Sequence, residues 1–284
     1  MLLRIFAPMK FQIWLWVILF TYASPLFAQE TTPPPSSHQI HVKTPTKSAF
    51  KTGEWLKFRI HYGIFNASYA TLELAEAAWN GQSVFYAKGI GRTTGLARLF
   101  FKVDDYYSSY FTKEENRPLH FIRNINEGGY IKNLTIDFDY ENKQATVTNL
   151  KKETTGTYNT ASEVQDLISF GYYLRKYLDV DAIKKDEFVF VNLFFDSENY
   201  VFKFKFLGRE TIKTKFGRVK TLKFRPYVQS GRVFRSSESI TIWVSNDDNK
   251  IPLRLQADLS VGSITADLYA FKELKNPFEI VVEK

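Results

Sequence analysis

Apolar and polar residues alternate at a two-residue period through most of this chain, and that period constrains the fold more than any other feature. From Glu54 to Tyr62, Leu56, Phe58, Ile60 and Tyr62 share one side while Lys57, Arg59 and His61 share the other. Such alternation marks a half-buried β-strand. It recurs at 130–140, with Leu134, Ile136, Phe138 and Tyr140 in phase, and at 201–206, where Phe202, Phe204 and Phe206 oppose Lys203 and Lys205. Segments 68–79 and 82–90 flank Asn80-Gly81, the dipeptide that favours positive φ at both central positions of a tight hairpin. Further β-like runs cover 219–225, 239–244, 253–259 and 263–271, separated by polar turn clusters. In 219–225 the apolar side changes between Val219 and Leu222, which predicts a bulge or burial on both sides. The expected fold is mainly β: an antiparallel sheet curled into a barrel-like or half-barrel body.

One segment departs from this period. Ser162-Glu163-Val164-Gln165 has capping-box spacing, and Val164, Leu167, Ile168, Gly171, Leu174 and Leu178 then fall on one helical face. A single α-helix over about 162–178 is predicted. Phe170, Tyr173 and Tyr177 form a second, aromatic stripe. A helix apolar on two sides is an enclosed one. Two readings are open: core packing, or a cover over a cavity with Phe170, Tyr173, Tyr177 and Arg175 as ligand contacts.

The first residues read as an address. Residues 11–27 (FQIWLWVILFTYASPLF) are apolar, follow Lys10 and end at Ala28, as in a secretory signal peptide cleaved near Ala28. Met1 and Met9 are both possible starts. The stretch 29–49 is polar and carries Pro33, Pro34, Pro35 and Pro45, so it reads as an extended linker before one domain over 50–284. The chain is expected to be exported, periplasmic or associated with the cell envelope. Export excludes nucleic acid as the partner of the net charge of +8, and favours lipid, amphiphile or an envelope protein.

The residue inventory narrows the chemistry. With no cysteine, thiolate catalysis, disulfides and Cys-ligated metals are excluded. The four histidines lack metal-protease spacing, no nucleophile elbow occurs, and no metal or cofactor is expected. Gly89 to Gly95 matches neither a dinucleotide fingerprint nor a P-loop; it reads as a strand end followed by a loop. Asp247-Asp248 reads as turn chemistry. Residues 201–235 hold eleven Lys and Arg against the single acid Glu210. Lys203, Lys205, Lys213, Lys215, Lys220 and Lys223 are either the solvated face of aromatic-backed strands or a peripheral contact for an anionic membrane surface.

Several phrases resemble the DUF3108 family of exported bacterial proteins of unknown function. Gly53-Glu54-Trp55-Leu56-Lys57-Phe58 resembles its opening; Val103-Asp104-Asp105-Tyr106 with Ser109-Tyr110 and Pro118 is similar to its next block. Asp166 to Ser169 with Tyr172 to Arg175, and Ile242 to Ser245 with Asp248, Ile251-Pro252 and Gly262 to Ile264, complete the match over about 50–272. The resemblance implies a β-rich body with a helix between its halves, and supplies no catalytic residues. The expected function is a non-enzymatic envelope protein binding an apolar or amphiphilic ligand, or a partner, in or on its sheet. Two alternatives remain: a secreted hydrolase using Asp104 or Asp248 with Arg92 or Arg175, and an outer-membrane β-barrel.

Overall fold

The computed structural model describes residues 47–227 and 240–282. The signal-peptide reading, nearly all of the linker, and Arg232 and Arg235 of the basic stretch lie outside those residues.

Among the described residues, fourteen strands form one antiparallel sheet. Its first run is β1 (Trp55–Tyr62), β2 (Phe65–Trp79), β3 (Gln82–Thr93), β4 (Val103–Phe111), β5 (Pro118–Glu127), β6 (Tyr130–Asp139), β7 (Gln144–Asn149) and β8 (Thr154–Asn159). After a helical interruption follow β9 (Phe188–Phe195), β10 (Glu198–Thr214), β11 (Gly217–Tyr227), β12 (Ile240–Ser245), β13 (Pro252–Asp258) and β14 (Ser263–Lys272). Two helices complete the fold, α1 (Gly95–Phe100) and α2 (Ser169–Tyr177). The spatial order runs from β8 down to β1, then β14 down to β9, so β1 and β14 join the two halves.

The local chemistry explains much of this pattern. Asn80 and Gly81 take φ of 48° and 78°, and Trp79 pairs with Gln82, giving the tight hairpin that their dipeptide favours. The phase change in β11 is met by burial on both sides: Val219, Thr221 and Leu222 are all buried. The neighbouring β10 carries a bulge between Phe206 and Gly208, with φ of 119° at Gly208, opposite Phe224 and Lys223.

The expected barrel-like or half-barrel body is not formed: among the described residues the sheet is open, with β8 and β9 as its edge strands. β8 (TTGTYN) is polar and almost wholly exposed; its one ring, Tyr158, reaches Phe194 of β9 (FVFVNLFF) at 6.5 Å between centres, but no ladder joins the two strands. Residues leaving β8 occupy the flank of β9 instead, through one parallel bridge from Gln165 to Leu193. This covers an otherwise sticky edge without continuing the ladder. An outer-membrane barrel requires a closed cylinder, and this sheet is not one. Among the described residues no helix is long and apolar enough to cross a membrane.

The helix predicted over about 162–178 starts later, at Ser169. Ser162 to Gln165 is spent on β9: the Gln165 amide donates to the Asn192 carbonyl and its own carbonyl accepts from Phe194. The reciprocal cap is made one turn on. The Asp166 carboxylate accepts the amides of Ile168 and Ser169 (2.7 Å each), while Ser169 Oγ accepts the Asp166 amide at 3.0 Å. The second helix, α1, sits where a loop was expected after Gly95.

Candidate functional site

One face of the sheet and α2 enclose a cavity of about 1390 Å³. Its walls come from β1 to β4 and β9 to β14, with Phe58, Ala70, Leu72, Val189, Phe204 and Ile242 among the apolar lining. The volume exceeds the roughly 300–1,000 Å³ of ordinary small-molecule sites. Gly89 and Gly91 give the wall its room: a Cβ at Gly89 would stand 3.3 Å from Ile168 Cδ1, where the approach to α2 crosses β3. The glycine pattern of β3 thus serves packing.

Antiparallel connection sends alternate turns to opposite ends of the sheet. One end is plugged. Phe50, Phe111 and Tyr172 are buried there, with Tyr172 4.9 Å from Phe50 and 5.4 Å from Phe111 between ring centres. Arg175 of α2 grips the Glu54 carboxylate in a fork, Nη1 to Oε1 at 2.6 Å and Nη2 to Oε2 at 2.7 Å. Its remaining donors reach the carbonyls of Asn249 (2.9 Å) and Ala49 (3.0 Å). Both partners are buried; burial works against the Arg175 charge, but its neighbours, Glu54 foremost, offset it and hold the pKa above its ordinary value.

The opposite end carries the β1–β2 turn, α1 and the β13–β14 turn, and is open. Phe65, Leu96 and Val261 line the cavity there and also face solvent. Just inside, on the wall, is the buried carboxyl of Asp105. The pairing of Val103 with Glu127 and of Asp105 with Ile125 puts Glu127 on the same face. Burial raises the Asp105 pKa to about 6. Burial, and next the charge of Asp105, raise that of Glu127 to about 8. The two together hold one proton near neutrality. Arg123, wholly buried, lies over Phe195 and donates to Asp196 at 2.8 Å.

The residues singled out in the sequence are dispersed. Phe170 lines the cavity and packs on Phe202 and Phe204 at 6.1 and 6.3 Å. Arg175 reaches the wall with its charge engaged by Glu54. Tyr173 and Tyr177 pair with each other at 4.8 Å outside the lining, and Tyr177 donates to the Glu114 carbonyl.

Of the six lysines, Lys205 pairs with Asp186 (2.8 Å) and Lys223 with Glu210 (3.2 Å). Lys203 lies over the Phe190 ring at 5.8 Å and Lys215 over Tyr269 at 3.7 Å. Lys213 and Lys220 are exposed on the outer face, while Phe202, Phe204 and Phe206 are buried.

Asp104 lies within 3.8 Å of Arg92 and forms a fork with Arg98, which holds its carboxyl below the usual range. Asp248 pairs with Lys47 at 3.0 Å; the next residue, Asn249, meets Arg175 through its backbone carbonyl, and the Arg175 charge is taken by Glu54. Asp247 accepts the amides of Asn249 and Lys250 in a turn. The carboxylates that do converge are Asp105 and Glu127; in the sequence Asp105 stands out only as part of a family phrase, and Glu127 not at all. The sequence signal for Asp105 as a site residue is its phase with Val103 and Tyr107 on a core face.

An open antiparallel sheet facing a large apolar cavity, with no group of three His, Cys, Asp or Glu placed to hold a metal among the described residues, defines a β-rich cavity protein. The family model described as "Protein of unknown function (DUF3108)" matches residues 57–269, and the chain belongs to that family. The fold is similar to a crystal structure described as a β-barrel-like protein of the domain of unknown function DUF1849 from Brucella abortus. That likeness has a TM-score of 0.51 at 12% identity over 79% of this chain and 99% of the other. A DUF1089 family protein from Pseudomonas aeruginosa also matches, with a TM-score of 0.33 at 7% identity over 64% of this chain and 87% of that one. No curated protein matches the chain.

Proposed function

We propose that this is an exported, non-enzymatic envelope protein that holds an apolar or amphiphilic molecule in its cavity. The single observation that carries the reading is the about 1390 Å³ of space lined chiefly by aliphatic and aromatic side chains. Apolar lining of that extent is unfavourable against water, and an acyl chain seated on it removes both surfaces from water. The supply of such molecules agrees with an envelope location, to which the leader at 11–28 points.

The test is organic extraction of the purified protein followed by mass spectrometry, with uptake of a fluorescent fatty acid as the solution assay. Acyl-bearing molecules and saturable uptake are expected. Ala70→Trp, on a cavity-facing position of β2, fills part of the space and lowers uptake about tenfold, the size expected when burial of nearly two methylenes is lost. A protein that yields no co-purifying molecule and shows no saturable uptake overturns the reading. Export is checked on the same preparation, whose first residue is expected to be Gln29 in the envelope fraction.

A further inference from the structure

The open end of the cavity carries large apolar side chains in solvent on three separate segments. Ile64 and Phe65 on the β1–β2 turn are 91% and 71% exposed, Leu96 and Leu99 on α1 are 75% and 79%, and Val261 on the β13–β14 turn is 74%. Helix α1 buries none of its residues. Leu96 and Leu99, three apart, share a face that points outward. An ordinary surface scatters such residues singly, and their concentration around one opening marks a contact site. The rim is also held in shape. Tyr62 Oη donates to the Val261 carbonyl at 2.9 Å, and its ring occupies the space that a side chain at Gly262 would need. Two of the three segments are thereby tied together before any contact is made.

We infer that this rim docks on a lipid surface, with Ile64, Leu96, Leu99 and Val261 entering the headgroup–acyl boundary and the cavity mouth facing the bilayer. The inference rests on the cavity holding an amphiphile. Two features select lipid over a protein partner. Phe65, Leu96 and Val261 belong both to the exposed rim and to the cavity lining, so an apolar path runs from the contact surface inward without crossing water. Beside α1, Arg92, Arg98 and Lys102 converge on Asp104 at 3.8, 2.8 and 3.4 Å. Three cations on one carboxylate leave net positive charge beside the apolar tips, the combination that holds interfacial helices on anionic membranes. The lysines of the outer face play no part in this contact.

The chain has no cysteine, which allows a direct test. Leu99→Cys, Val261→Cys and Lys213→Cys are each labelled with an environment-sensitive fluorophore and mixed with phosphatidylethanolamine–phosphatidylglycerol vesicles. Labels at 99 and 261 are expected to brighten several-fold and shift to the blue, while the label at 213 stays unchanged. Leu99→Glu is expected to lower vesicle binding in a flotation assay by about tenfold or more. Response at 213 in place of 99 and 261 assigns the contact to the basic outer face and overturns the inference; so does silence of all three labels. Brightening that follows protein concentration without vesicles makes the rim an interface between two copies, and overturns it too. Extraction of the same preparations separates the two readings. Silent rim labels on a protein that carries acyl ligand reject the docking alone, and responsive labels on an empty protein support docking while rejecting the cavity's cargo.

Discussion

At one end of the cavity Phe50, Phe111 and Tyr172 are packed out of water around the Arg175–Glu54 pair; at the other, Phe65, Leu96, Leu99 and Val261 stand in solvent. Similar apolar residues are used in opposite ways, and the contrast shows where each end's free energy goes. The plug is a closed set: aromatic edges meet aromatic faces, and the guanidinium's donors meet a carboxylate and two carbonyls. Its contacts serve folding. The rim buries nothing in the isolated chain, so its apolar area remains available for something outside it.

The largest expected effect is at the plug. Arg175→Met leaves Glu54 as an uncompensated buried charge and costs about 3–5 kcal/mol in urea unfolding. The double variant Arg175→Met, Glu54→Leu recovers most of that loss, because the stranded charge is gone. A single variant as stable as wild type breaks the view that this pair secures the closed end.

Next in size is a matched pair of truncations. Phe111→Ala at the plug costs about 3 kcal/mol, whereas Leu99→Ala on the rim changes stability by less than about 0.5 kcal/mol. Equal losses at both positions erase the contrast between the ends.

A third test, on the open end, is a pH dependence. Asp105 and Glu127 both titrate above the ordinary carboxylate range, so between about pH 4 and pH 8 the folded chain binds more protons than the unfolded one. Their contribution to stability is therefore full at the acid side and is lost as the pH rises through that window. Glu127→Gln is expected to flatten this part of the stability–pH curve, read from urea midpoints at successive pH values. An unchanged slope would show that the two carboxyls are not held protonated above their ordinary range just inside the open end.

How much was legible depended on whether a signal was local. The β2–β3 hairpin followed from Asn80-Gly81, whose φ values suit only one class of turn. The placing of Phe202, Phe204 and Phe206 inward and Lys203 outward followed from period two alone. Signals that needed a partner strand were misread or unseen. Ser162 to Gln165 has a helix-start pattern, yet those residues bridge β9, since covering a β edge outweighs one more helical turn. Asp105 and Glu127 are 22 positions apart, and only the β4–β5 register puts them on one face. Arg175 looked like a ligand contact because its partner Glu54 lies 121 residues away.

By itself, the sequence determined the type of element, because alternation and turn chemistry act between neighbours along the chain. Short phrases in a fixed order over about 50–272 pointed to the family, whose model matches residues 57–269. Only the tertiary structure decided that the sheet stays open, that one end of the cavity is plugged and the other rimmed with exposed apolar side chains, and which acids meet. Those outcomes depend on which surfaces face each other after long loops have closed, and no local period encodes that.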